Sequence, residues 1–295
     1  MTSPPEAFEI RATDGGALRG DFYAAAPRAP RSSTARAEEL PAPAAATPTV
    51  VLCHGFRGFK DWGFIPFLAE RLTREGLSAV AFNFGGSGIA DRSGAFAEPE
   101  RFRRNTYGRE LGDLALVIDW IQRRRGGTAP PIGLVGHSRG GAIALLHAAR
   151  DPRVHCVATL AAPPRIGEWS SDRFAAWDRG EDAVVRDFRT RTELRIAPDL
   201  YSDFRANRDR YDVDLAVGSL AVPLLILHGD RDRVVPPGAA RTLARLAAAA
   251  TTEVRLIEGA GHTFQAGDTN RRTPPPLLDM LEAVTAWMRR WLSGA

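Results

Sequence analysis

The 295-residue sequence has one lysine, Lys60, two cysteines, three methionines and four tyrosines. It lacks any apolar run near the roughly 18 residues that a membrane-crossing helix needs, so no membrane association is expected. The opening stretch, MTSPPEAFEIRATDGG, lacks a basic segment followed by an apolar one and does not read as a secretory leader. Cys53 and Cys156 both fall inside apolar, strand-like runs (VVLC and VHCVATL). Buried free thiols are expected there rather than a disulfide framework, which implies a reducing, cytoplasmic setting. No His, Cys, Asp or Glu spacing of a metal site is present, and neither a metal nor an organic cofactor is expected.

With lysine nearly absent, almost all of the positive charge is arginine, and the formal net charge is +4. The arginines are scattered. Their densest run, Arg123-Arg124-Arg125, follows an apolar helical pattern, where a helix C-terminus favours cations. No basic stripe interleaved with aromatics accompanies them, so no nucleic-acid partner is expected. A content of 44% apolar and 25% charged residues suits a soluble globular chain long enough for one large α/β domain or two small ones.

What is present is a rhythm. AFEIRA, Asp14-Gly15-Gly16 and ALRGDFYA read as a hairpin over residues 7–24. Residues 26–48, rich in Ala, Pro, Arg and Ser, are too poor in bulky apolar groups to order themselves and read as a mobile loop. From residue 48, apolar runs alternate with helical patterns: TVVLC, a helix that Asp61 could cap and Gly76 would end, LSAVAFNF, a helix near 106–125, PIGLVG and a helix over 139–150. VHCVATL, VPLLILHG, a helix at 238–249, EVRLIEG and a last helix near 275–292 continue it. Strands alternating with helices predict βαβ units and a mostly parallel, doubly wound sheet. Residues 164–214 break the pattern with arginines and aromatics. They are expected to form a helical cap over the ligand-binding face, inserted into a core made of residues 1–163 and 215–295. A surface excursion whose aromatics form a small satellite core is the alternative.

GHSRG, residues 136–140, lies between an apolar strand (IGLV) and a helix (AIALLHAA). That context fits a nucleophile elbow, in which Gly136 and Gly140 flank Ser138 on a turn too tight for side chains at those positions. A serine hydroxyl needs an imidazole to take its proton, and a carboxylate to orient the imidazole. His262, in the loop after EVRLIEG, is placed to be that base; His137, His147, His155 and His228 lie within the elbow, a helix or strand ends. Asp230 and Asp232, after LLILHG, compete for the acid. The oxyanion hole is expected from the amides of Arg139 and Phe56, with Gly55 allowing close backbone approach and His54 a plausible orienting side chain.

These residues resemble the α/β-hydrolase superfamily over residues 48–292. FNFGGSGIADRSG is similar to the family's F-D-x-x-G-x-G-x-S loop, with Asn83 where an aspartate is usual. HGDRDRVVP is similar to its H-G-x-x-D-x-V-V-P segment, which implies Asp232 as the acid. IEGAGHTF resembles the segment carrying the catalytic histidine. Within the superfamily the combination is similar to bacterial carboxylesterases of the cinnamoyl/feruloyl esterase type. It also resembles dienelactone-hydrolase-like and acylaminoacyl-peptidase-like enzymes, although dienelactone hydrolases proper use a cysteine where this chain has Ser138. The resemblance implies a serine ester hydrolase for small or aromatic acyl groups, acting on a small molecule without cofactor. Aminopeptidase, acyltransferase or perhydrolase chemistry on the same fold remains open, as does a non-catalytic binding protein. For an aminopeptidase, Glu168, Asp172, Asp178, Glu181 and Asp182 are available to hold a substrate amine. Oligomeric state is not legible.

Overall fold

The computed structural model describes residues 3–12, 14–26, 47–124, 129–248, 251–267 and 273–293. The expected hairpin forms from β1 (Glu6–Arg11) and β2 (Ala17–Tyr23), closed by a turn in which Asp14 accepts the Gly16 amide. Apart from its ends, the 26–48 segment lies outside the described residues. The chain then runs β3 (Thr49–Cys53), α1 (Ile65–Arg74), β4 (Ser78–Phe82), α2 (Pro99–Arg103), α3 (Tyr107–Arg124), β5 (Ile132–His137), α4 (Arg139–Ala148) and β6 (Val154–Leu160). An insertion follows, built from α5 (Ser171–Asp178), β7 (Ala183–Asp187), β8 (Thr192–Ile196), α6 (Asp199–Ala206) and α7 (Val213–Gly218). Then come β9 (Leu224–Gly229), α8 (Gly238–Leu246), β10 (Thr252–Ile257) and α9 (Pro275–Leu292).

Eight strands form one sheet in the order β1-β2-β4-β3-β5-β6-β9-β10. From β4 to β10 every pairing is parallel, and only the hairpin joins antiparallel. Alternate residues of the central strands face opposite ways, so each face collects its own core. Val51, Val80, Ile132 and Leu134 pack with Leu114 and Ile118 of α3 and with α4. Val50, Leu52, Ala79 and Ala81 pack with Leu68 and Leu72 of α1 and with Met280 and Val284 of α9. Both cysteines are buried and free, and burial pushes both thiols up. Among the described residues no helix is long and apolar enough to cross a membrane.

Two local expectations need correction. Asp61 does not cap α1, which has no side-chain cap. Its carboxylate instead takes Lys60 Nζ at 2.8 Å, and Asp21 takes the same ammonium at 2.5 Å, so the one lysine is buried between two acids. The C-terminus of α1 is as expected: Gly76, at φ 82°, donates to Thr73 while Leu77 donates to Leu72, closing the last turn.

The second correction concerns the insertion, which is not purely helical. AVVRD and TELRI alternate buried with exposed residues and pair as an antiparallel hairpin. Its turn is closed by Asp187, which accepts both the amide and the hydroxyl of Thr190. Val184, Arg186, Glu193 and Arg195 occupy the outward positions, so the buried apolar content of each run is too small to announce a strand.

Candidate active site

Three parallel strands end at one place. β5 delivers Ser138, β9 leads to Asp232, and β10 leads to His262, as expected for a ligand site at the C-terminal edge of an α/β sheet. Ser138 has φ 52° and ψ −125°, a conformation that non-glycine residues avoid and that persists only where the surroundings enforce it. Its amide donates to Leu160 at 2.8 Å and its carbonyl accepts the Gly141 amide at 2.9 Å. The flanking glycines are obligatory. A Cβ on Gly136 would stand 2.3 Å from the Gly140 carbonyl oxygen, and one on Gly140 would stand 2.4 Å from the His54 oxygen. At Gly55 a Cβ would press on Ser138 Cβ at 3.0 Å, so the loop after β3 approaches the serine closely.

His262 Nδ1 donates to Asp232 Oδ2 at 2.8 Å, which leaves Nε2 as the ring's other nitrogen. The Asp232 carboxylate is buried, and its Oδ1 accepts the amides of Val234 and Val235 at 2.8 and 3.0 Å. Desolvation alone would raise its pKa. Hydrogen bonds from His228 and His262, the His262 charge and the Val235 amide outweigh that and hold the carboxyl well below its usual range. Asp230 is exposed and, among the described residues, has only a backbone bond, to Ile257, so of the two competing aspartates Asp232 is the one that meets the imidazole.

Two more histidines support this arrangement. His137 Nε2 donates to the His262 carbonyl at 2.8 Å, tying the backbone at His262 to the turn at Ser138. His228 is fully buried; its Nε2 donates to Val235 at 2.9 Å and lies 3.3 Å from Asp232 Oδ2. By sequence His228 was only a strand end, and its spacing of four from Asp232 was the one signal of contact. His54 fixes the loop after β3: Nδ1 donates to the Gly55 carbonyl while Nε2 accepts the Phe84 amide, at 2.9 and 3.1 Å. Burial pushes His54 down to about 4 and His137 down to about 3, so both rings are neutral near pH 7.

Of the two expected oxyanion donors, Arg139 follows Ser138 directly and Phe56 lines the same cavity as Ser138. Arg139 opens α4, so its amide is a first-turn donor without an intrahelical acceptor. Phe56 follows Gly55 in a turn closed by the Gly58 amide on the Gly55 carbonyl, with Arg57 at φ 61°. The Arg139 guanidinium lies 4.1 Å from the Phe56 ring centroid and 3.5 Å from buried Glu110, packing the turn at Ser138 against the loop after β3.

Ser138 and His262 line one cavity of about 310 Å³ with Phe56, Trp62, His137 and Val234. The insertion contributes Asp187, Phe188 and Arg189, all from the turn of its hairpin. That turn is fastened to the core, since Arg57 donates to the Arg186 carbonyl and Arg189 to that of Gly94. The insertion's other aromatics mostly pack on one another: Trp177 meets Trp169, Phe174 and Tyr201 at 5.6 to 5.9 Å. None of Glu168, Asp172, Asp178, Glu181 and Asp182 lines the cavity. A second concavity of about 330 Å³, beside Glu168 and Tyr211, contains neither Ser138 nor His262. Among the described residues no cluster of three or more His, Cys, Asp or Glu side chains is disposed to hold a metal.

The profile of the alpha/beta hydrolase fold matches residues 48–216, and that of serine aminopeptidase S33 matches residues 212–269. Pimeloyl-acyl-carrier-protein methyl ester esterase of Xanthomonas campestris is 32% identical over 160 residues, covering 43% of this chain and 62% of that one. Monoacylglycerol lipase of Mycolicibacterium smegmatis is 24% identical over 261 residues, covering 81% and 87%. The chain spans 37% to 62% of the length of the first curated relatives it matches. Among solved structures, Est1E from Butyrivibrio proteoclasticus with bound ferulic acid superposes with a TM-score of 0.68 at 19% identity, covering 97% of this chain and 99% of that one.

Proposed function

Because this chain belongs to the alpha/beta hydrolase fold family and has esterase and lipase relatives, we propose that it is a serine carboxylesterase acting on esters of small or aromatic acids. The observation that carries the reading is the pairing of a strained Ser138 with an Asp232-bound His262 on one cavity. In the proposed reaction Ser138 Oγ bonds to the ester carbonyl carbon as its proton passes to His262 Nε2. Asp232 holds the ring with Nδ1 protonated and stabilises the imidazolium. The amides of Phe56 and Arg139 receive the oxyanion, each such donor contributing about 3 kcal/mol to transition-state stabilisation. Collapse breaks the C–O bond, and the departing alkoxide takes the proton from His262. Water, deprotonated by the same ring, then attacks the acyl-enzyme, and collapse of the second tetrahedral intermediate returns the proton to Ser138.

The cavity supports a compact acyl group. Its volume lies at the small end for ligand pockets, and Phe56, Trp62, Phe188 and Val234 give it aromatic and apolar walls. Aminopeptidase chemistry, suggested by the second matching profile, requires a carboxylate to hold a substrate ammonium. Only Asp187 lines the cavity, and its Oδ1 already takes Thr190 while its Oδ2 faces Arg57 at 3.8 Å. Ester hydrolysis is therefore preferred. The test is a panel of aryl and alkyl 4-nitrophenyl esters beside a peptide 4-nitroanilide, with an aryl phosphonate to trap the nucleophile. Ester turnover and a single adduct on Ser138 are expected. Turnover of the anilide alone, or an adduct elsewhere, overturns the reading.

A further inference from the structure

β10 is an open edge of the eight-stranded sheet, paired with β9 on one side and with no described residue on the other. Four consecutive residues, Glu253, Val254, Arg255 and Leu256, are exposed, including two large apolar side chains. An edge of this kind is a template for another strand. Its hydrogen-bond parity follows from the pairing with β9: the Leu224 amide donates to Thr251 and the Asp230 amide to Ile257. In a parallel ladder, residues 251, 253, 255 and 257 therefore turn their backbone groups toward β9, and Val254 and Leu256 turn theirs outward. Glu253 and Arg255 share one sheet face while Val254 and Leu256 share the other. Neither Glu253 nor Arg255 has an ion-pair partner among the described residues.

We propose that two copies of this chain associate antiparallel through β10, with the two-fold axis at Val254, joining their eight-stranded sheets edge to edge. In this register the outward backbone groups of Val254 exchange hydrogen bonds with those of Val254 of the partner subunit. Glu253 then lies opposite Arg255 of the partner subunit, and Arg255 lies opposite Glu253 of the partner subunit. These are non-hydrogen-bonded positions, where facing Cα atoms come within about 4.5 Å and side chains interact most strongly. Val254 and Leu256 lose their exposure on the other face. Charges on an edge strand ordinarily discourage pairing. Here their order discourages every register but one, because a slip of two residues sets Glu253 against Glu253 or Arg255 against Arg255. A slip of one turns the apolar face onto the charged one.

Sedimentation velocity on the full chain tests the proposal, and its outcome is independent of the catalytic reading. Between about 5 and about 200 µM, the range where modest interfaces associate, the wild type should shift from monomer to dimer. R255E, which faces carboxylate with carboxylate, should remain monomeric with an unchanged circular dichroism spectrum. The double variant E253R/R255E recreates the complementary pairs with the signs reversed and should restore the dimer. E253R, which faces guanidinium with guanidinium, is the second single variant should R255E fold poorly. A wild type that stays monomeric throughout, or single variants that dimerise as it does, would overturn the proposal.

Discussion

The strand ends of the core and the inserted segment 164–214 meet at the same cavity but hold their residues differently. Ser138, Asp232 and His262 follow the ends of parallel strands and are held by backbone bonds, a strained elbow and two supporting histidines. The insertion reaches the cavity only through one hairpin turn, fastened by the side chains of Arg57 and Arg189. The strand ends are set mainly by the sheet's own backbone, whereas the hairpin turn is set by side-chain bonds, although elsewhere the insertion is packed into the core, with Trp169 on Phe56, Phe204 on Tyr107 and Asp182 on Arg103.

Substitutions can break that division. Ser138→Ala should lower kcat on a 4-nitrophenyl ester by about 10⁴-fold or more, and full activity would remove the serine from its role. Asp232→Asn should cost about 10⁴-fold in kcat, since the imidazole loses the partner that fixes its tautomer. Asp230→Asn should change it less than about two-fold, because that side chain is exposed and surface substitutions are usually mild. The same assay under both variants ranks the two aspartates.

Acid should act on the core first. His54 and His137 are depressed to about 4 and about 3, and residues 164–214 contain no histidine. A buried neutral ring gives stability above the unfolded value of about 6.5, which is lost as pH falls toward the folded pKa because the unfolded chain takes the proton first. His54 alone accounts for about 3 kcal/mol between pH 6.5 and 4. Urea midpoints should fall across that window, and His54→Gln should flatten the slope; a midpoint unchanged from pH 7 to 4 contradicts the assignment. A smaller effect than at Ser138 or Asp232 is expected at the hairpin turn of the insertion. Asp187→Asn, which loosens the hairpin turn, should raise KM by about three-fold to ten-fold with kcat nearly unchanged, a pattern of lost uniform binding. An equal loss in kcat would mean that the turn also orders the catalytic groups.

The legible parts of the sequence were those whose physics is local. Continuous apolar runs such as TVVLC and LLILHG announce strands covered on both faces, and Gly136 and Gly140 announce the elbow by excluding any Cβ. The hairpin β7–β8 was hidden because its alternation is carried by only two or three apolar residues per strand. Asp61 misled because its carboxylate finds a lysine rather than a helix amide. The support from His228 and His137 was out of reach, as each depends on where two strand ends meet in space.

Lys60 is nine-tenths buried between Asp21 and Asp61, and it is the chain's one lysine. The outward-facing side-chain cations are therefore guanidinium groups, which hold their proton at any pH an assay would use. Reagents that couple through lysine amines meet no exposed target on this fold. Its positive surface should persist in strongly alkaline buffers, where a lysine-coated protein would already have lost its own.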